Sequence, residues 1–190
     1  MTLAAFIDRS RRDKEDWKYT DLSALLPHPL PPANEEKTCP ALFCGERENL
    51  ASDTRLVFLN GVLQPTLSRF GAVPSCILMG DLESGYKLTL GEQTCLIAQT
   101  IEMVFAADEN APPEISMKFS IDIGKNGRLT LLENHLASQA VFTIETDITL
   151  RPRAKFVHGK IVRGGAHLAM HKVRVASGGY YNNFSLLRGG

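Results

Sequence analysis

Ile123-Gly-Lys-Asn-Gly-Arg-Leu129 is the first of three matched phrases. It is followed by Leu150-Arg-Pro-Arg-Ala-Lys-Phe156 and by Val175-Ala-Ser-Gly-Gly-Tyr-Tyr181. Each begins on an apolar strand end, passes through about four residues of turn chemistry and returns to alternating apolar and polar residues. The phrases start 27 and 25 residues apart, a spacing that suggests stacked coils. Ahead of the first, Ile115, Met117, Phe119, Ile121 and Ile123 alternate with Ser116, Lys118, Ser120 and Asp122, which sets the apolar side chains on one face of a strand. The same rhythm recurs at Leu129 and Leu131, at Phe142, Ile144, Ile148 and Leu150, and at Leu168 and Met170. Strands turned at short corners and repeated at this period predict a mostly β protein, a right-handed parallel β-helix over 111–190. An antiparallel meander or sandwich would also alternate; the matched corners favour the helix.

The 190 residues suffice for a full core, and the composition, 44% hydrophobic and 22% charged, is that of an ordinary globular protein. Lys plus Arg equals Asp plus Glu at 21 each, so apart from the short Arg9–Lys14 run nothing indicates nucleic-acid binding. No apolar stretch is long enough for a transmembrane helix, and the four cysteines, Cys39, Cys44, Cys76 and Cys95, form no CxxC pair. The expectation is a cytoplasmic protein with reduced thiols.

Three regions are expected. Residues 1–54 comprise an N-terminal helix, an aromatic anchor at Trp17 and Tyr19, and a Pro-rich linker. Residues 55–110 form a small mixed α/β region. Within it Asn60-Gly61 closes a hairpin, runs at 75–79 and 86–90 are strands, and Leu96, Ile97, Ile101, Val104 and Phe105 fall at helical spacing over 94–107, a helix that would plug the first coil. The coils of 111–190 then run to an open end, where Tyr180, Tyr181 and Phe184 offer a pairing surface.

Chemical motifs are sparse. His167 and His171 are four strand residues apart, about 13 Å, too far to share one metal ion, and are expected to face outward. His135, expected at a corner, and His158, within a strand, have no evident partner. Neither GxxxxGK[ST] nor GxSxG occurs, so neither a P-loop nor a nucleophile elbow is expected. Asp122, Glu133, Glu145 and Asp147 fall on different strands; a β-helix enzyme of polysaccharide cleavage would need such acids gathered on one coil face.

Four phrases carry a family resemblance: Glu15-Asp-Trp-Lys-Tyr-Thr-Asp-Leu22, Leu56-Val-Phe-Leu-Asn-Gly61, Ile123-Gly-Lys-Asn-Gly-Arg-Leu-Thr-Leu-Leu-Glu133 and Phe184-Ser-Leu-Leu-Arg-Gly-Gly190. In that order they resemble the SufB/SufD family of iron–sulfur cluster assembly scaffolds, and within it the N-terminal half of the SufD branch. The resemblance implies a helical N-terminal segment followed by a right-handed parallel β-helix. It also implies a non-catalytic scaffold whose partners are a SufB-like scaffold and a SufC-like ATPase. The family's C-terminal helices and cluster-assembly residues are expected beyond Gly190, which leaves the SufC contact without its helices. No residue here inherits a catalytic, metal or cluster-ligand role, and an iron–sulfur cluster would be held only within a larger assembly. A second copy of the chain covering the coil end is the alternative partner.

Overall fold

A computed structural model describes residues 54–71, 76–92, 98–136 and 140–188, together with the helical Asp8. Trp17, Tyr19, the Pro-rich linker and Cys39, Cys44 and Cys95 lie outside the described residues. Eleven strands appear among those described: β1 (Thr54–Leu59), β2 (Val62–Leu63), β3 (Cys76–Asp81), β4 (Gly85–Leu90), β5 (Gln99–Ala106), β6 (Glu114–Ile123), β7 (Arg128–His135), β8 (Val141–Leu150), β9 (Lys155–Arg163), β10 (Ala166–Val175) and β11 (Tyr180–Arg188).

They form two sheets of order β11-β9-β7-β5-β1-β2 and β10-β8-β6-β4-β3. From β4 onward successive strands alternate between the sheets and pair in parallel with the strand two places on, the topology of a β-solenoid, with β6–β7, β8–β9 and β10–β11 as full turns. The three matched phrases are the corners of these turns. Their fourth residues, Asn126, Arg153 and Gly178, share a left-handed backbone, with φ of 59°, 59° and 68°. The corners also bond to one another: Asn126 N–H donates to Pro152 O at 3.1 Å and Arg153 N–H to Ser177 O at 3.0 Å. At Gly127 and Gly179 the chain turns so tightly that a Cβ would approach Ile123 and Val175, each to 2.7 Å, which explains why glycine recurs there.

Asn60-Gly61 forms the expected two-residue turn, with φ of 52° and 81°, between β1 and β2. The Asn60 side chain reaches across to Asp108, where Nδ2 donates to Oδ1 at 2.9 Å and Oδ1 accepts from the backbone N–H at 3.1 Å. This clips the hairpin to the loop after β5. The strands expected near 75–79 and 86–90 are β3 and β4, a second antiparallel hairpin.

The helix expected over 94–107 is corrected. Residues 93–97 lie outside the described residues, and Gln99–Ala106 is strand β5, paired in parallel with β1 and β7. Ile101 to Ala106 are buried without a break, on both faces of the sheet, so the run lacks the alternation that marks a half-exposed strand and its apolar spacing resembles a helix. Region 55–110 therefore continues the solenoid's own sheets, and this end is finished by the β1–β2 and β3–β4 hairpins.

Inward residues of the first turns make an aromatic core. Phe58 stacks on Phe105 (5.2 Å, 13°) and Tyr86 on Phe119 (5.4 Å, 25°), with edge contacts between the two pairs.

A buried polar ring as the candidate functional site

The inward column changes character along the solenoid. On β7 it runs Leu129, Leu131, Glu133, His135; on β9, Phe156, His158, Lys160, Val162; and on β11 it begins Tyr181, Asn183. Glu133, His135, His158 and Lys160 are all at most 4% exposed. They are polar residues in positions that alternation reserves for the core.

Opposite them, β10 brings His167 and His171 inward, in register with the core positions Phe142 and Thr146 of β8. The outward placement expected for these histidines is thus corrected. Parity along β10 puts both on the face of Val173, which packs against the core cluster. His171 stacks on His158 (4.9 Å, 27°), and His167 lies against His135 with ring centres 4.1 Å apart. His135 ends β7, His158 sits within β9, and both have Glu133 as a partner.

Glu133 is the hub. Its Oε1 lies 2.8 Å from His158 Nε2, and its Oε2 lies 3.0 Å from His135 Nε2 and 3.3 Å from Lys160 Nζ. Lys160 Nζ is also 3.5 Å from His171 Nε2, and the Tyr181 hydroxyl is 3.4 Å from both His171 Nδ1 and His158 Nδ1. One assignment of protons satisfies all of these contacts. Lys160 donates to Glu133 and to His171 Nε2; His171 Nδ1–H donates to the Tyr181 oxygen; Tyr181 O–H donates to His158 Nδ1; and His158 Nε2–H donates back to Glu133. The ring closes on itself. The Asn183 amide nitrogen is placed 3.3 Å from His171 Nδ1, and this tautomer requires the amide turned over so that its oxygen accepts there.

The electrostatics follow from this arrangement. Burial by itself would push the Glu133 carboxyl up; the Lys160 ammonium and the hydrogen bonds from His135 and His158 outweigh it and hold the carboxyl well below its usual range. Burial, with Lys160 close by, pushes the His171 imidazole down to about 4. Burial likewise takes His167 down to about 3, helped by His135 and Lys160, and lowers His135. The Tyr181 phenol is raised to about 12 by burial and by the Glu133 charge. The Glu133 carboxylate and the Lys160 ammonium therefore face each other beside the neutral rings of His135, His167 and His171.

Compared with protein-family models, with curated proteins and with solved structures, the chain finds no match in any of the three. Its chemistry must be read from its own residues.

The other acids expected as candidates do not join Glu133. Asp122, Glu145 and Asp147 lie on the outer face of β6 and β8. Asp122 takes a two-pronged contact from Arg151 (3.1 and 2.9 Å), and Asp147 faces Arg174 at 3.9 Å. Of the expected pairing residues, Tyr180 and Phe184 are outward and about half exposed, whereas Tyr181 turns inward and packs on Phe156 at 5.6 Å. Phe184 lies over Gly159, where a Cβ would meet its ring at 2.5 Å. At the opposite end of the solenoid an apolar cleft between the sheets holds the Cys76 thiol, which burial pushes up to about 11, away from reactivity. No group of three or more His, Cys, Asp or Glu among the described residues could hold a metal ion, and no helix among them is long and apolar enough to cross a membrane.

Proposed function

We propose that the chain is a non-catalytic scaffold subunit of cytoplasmic iron–sulfur cluster assembly, working by protein–protein contact through the terminal coil of its solenoid. The observation that carries this reading is the surface at β10 and β11. These strands end the two sheets, and Leu186 and Leu187 stand 60% and 74% exposed there beside Tyr180 and Phe184. An edge strand that combines open backbone groups with apolar side chains invites another strand. The β-solenoid is also the fold that the resemblance to the SufB/SufD family leads one to expect.

The partner at this end is a SufB-like scaffold, and any cluster is held by the assembly. The polysaccharide enzyme gains no support: Asp122 and Asp147 are engaged by arginines on the outer face, and Glu133 is enclosed behind the sheets.

The test is co-purification of the tagged chain with SufB-like and SufC-like proteins, with Leu187→Ser and Phe184→Ser in parallel. Capture of the SufB-like protein, reduced at least tenfold by the serine variants, is the expected result. A stable self-dimer that captures neither protein would contradict the reading and assign the coil end to a second copy.

A further inference from the structure

The outer faces of the two sheets differ in charge. On the β6, β8 and β10 side acids and bases mix, with Asp122, Glu145 and Asp147 among Lys118, Lys172 and Arg174. On the other side the outward positions are every second residue from Arg128 on β7, Lys155 on β9 and Tyr180 on β11. They include Arg128, Lys155 and Arg163 but no Asp or Glu. The acid next in register is Glu102 of β5, which is buried and bonded to Arg55 at 2.9 Å. At the adjoining corner Glu92 and Asp122 are engaged by Lys125 and Arg151, whereas Arg153 Nε donates to the neutral Asn126 Oδ1 at 2.9 Å and adds its charge to the face. A chain with no net charge thus collects cations on one side.

The same face carries open aromatic rings. Arg128, Lys155 and Tyr180 are register partners, so two cations and a phenol stand in one row, at about 4.8 Å per strand. Along β11, Phe184 follows Tyr180 at about 13 Å, with the exposed Asn182 between them. Tyr180 and Phe184 are half exposed, and Phe184 leans across the sheet with the far edge of its ring over Gly159, where no side chain props it away.

We propose that this face binds single-stranded nucleic acid, with phosphates on Arg128, Arg153 and Lys155 and bases stacked on Tyr180 and Phe184. Cations alone would suit any acidic partner. Two open rings with an amide between them select bases, because every base has a π-face to stack and edges to bond. A sheet face with two such rings takes about two or three bases. A duplex does not fit, since its bases already stack on one another. The inference goes beyond the scaffold reading: it uses the outer face rather than the open backbone edge of β11, and it stands if that reading falls.

The experiment is fluorescence anisotropy of the full chain with short labelled oligo-U and oligo-dT at low salt, with duplex DNA and poly-glutamate as competitors. Arg128→Glu combined with Lys155→Glu is expected to weaken binding at least about tenfold and to flatten its salt dependence. Tyr180→Ser is expected to weaken it at least about fivefold, whereas Tyr180→Phe, which keeps the ring, retains it. Lys172→Glu, at an exposed cation of the opposite face, should change it less than about twofold. Tighter binding of oligo-U would assign the face to RNA and of oligo-dT to DNA, either in support of the proposal. No binding of either oligonucleotide, equal displacement by duplex, or an equal loss with Lys172→Glu would overturn it. Binding that falls on charge reversal but not with Tyr180→Ser, and that poly-glutamate competes away, would overturn it in favour of an acidic polypeptide.

Discussion

The two ends of the solenoid's interior use one backbone plan with opposite chemistry. At the hairpin end, Phe58, Tyr86, Phe105 and Phe119 interlock ring on ring, and their one polar atom, the Tyr86 hydroxyl, bonds only to backbone, donating to Gly61 O and accepting from Leu63 N–H, both at 3.1 Å. At the β10–β11 end, the same inward positions hold Glu133, His158, Lys160, His171 and Tyr181, each bonded to others of the set. His135 sits at the seam, stacked on Phe105 on one side and bonded to Glu133 on the other. Parallel strand pairing thus accepts either kind of interior, but the two tolerate change differently. An aromatic core loses stability in proportion to the space emptied, whereas a buried ionic ring loses it when its charge balance breaks.

Substitution at the two centres should show this difference most strongly. Phe105→Ala is expected to cost about 3–5 kcal/mol by leaving a cavity, and Glu133→Leu a similar amount, about 3–5 kcal/mol, by leaving the Lys160 ammonium buried and alone. Only the second should be rescued by another deletion. Adding Lys160→Met to Glu133→Leu is expected to recover most of the loss in urea unfolding, and simple additivity of the two would show that the residues do not act as a pair.

Acid should separate the ends next. His167 and His171 stay neutral in the fold down to about 3 and 4, against 6.5 for a free imidazole. Above pH 6.5 folded and unfolded states hold the same protons at these sites; as pH falls towards 4 the unfolded chain takes up protons that the fold refuses. Stability is therefore lost in that window, at up to about 1.4 kcal/mol per pH unit for each histidine. The Glu133 contribution, from a lowered carboxyl, is full above about pH 4.5 and goes only below it. Urea midpoints that stay level from pH 7 to 5 would contradict neutral buried histidines. A smaller effect, about 0.5–1.5 kcal/mol, is expected for Tyr181→Phe, which removes one hydroxyl from the ring, with no change when the same exchange is made at exposed Tyr180.

Much of the fold could be read in the sequence. The corner phrases with their 27- and 25-residue spacing, the Asn60-Gly61 hairpin and the strands around Met79 and Leu88 are local signals, set by turn conformation and alternation. Strand β5 was not legible as one, because burial on both faces erases alternation. The polar ring was half written: Glu133 and His135 share the parity of Leu129 and Leu131, and His158 and Lys160 that of Phe156. Parity together with the corner alignment therefore points all of them inward. What parity does not supply is compensation. Polar side chains are usually outward, as is expected of His167 and His171, and their inward placement becomes reasonable only when the stacking of β7, β9, β10 and β11 brings a carboxylate, an ammonium and four imidazoles together.

The central claim is that these groups form one closed ring, and the most direct measurement is side-chain 15N NMR of His171 and His158 at pH 6. The ring requires His171 to be neutral with its proton on Nδ1, the minority form in water, and His158 to carry a proton on Nε2 beside Glu133. Observing both would support the account. A charged His171 ring, or one protonated on Nε2 alone, would contradict it, since in either form Nε2 carries a proton and cannot accept from the Lys160 ammonium, and the ring opens there.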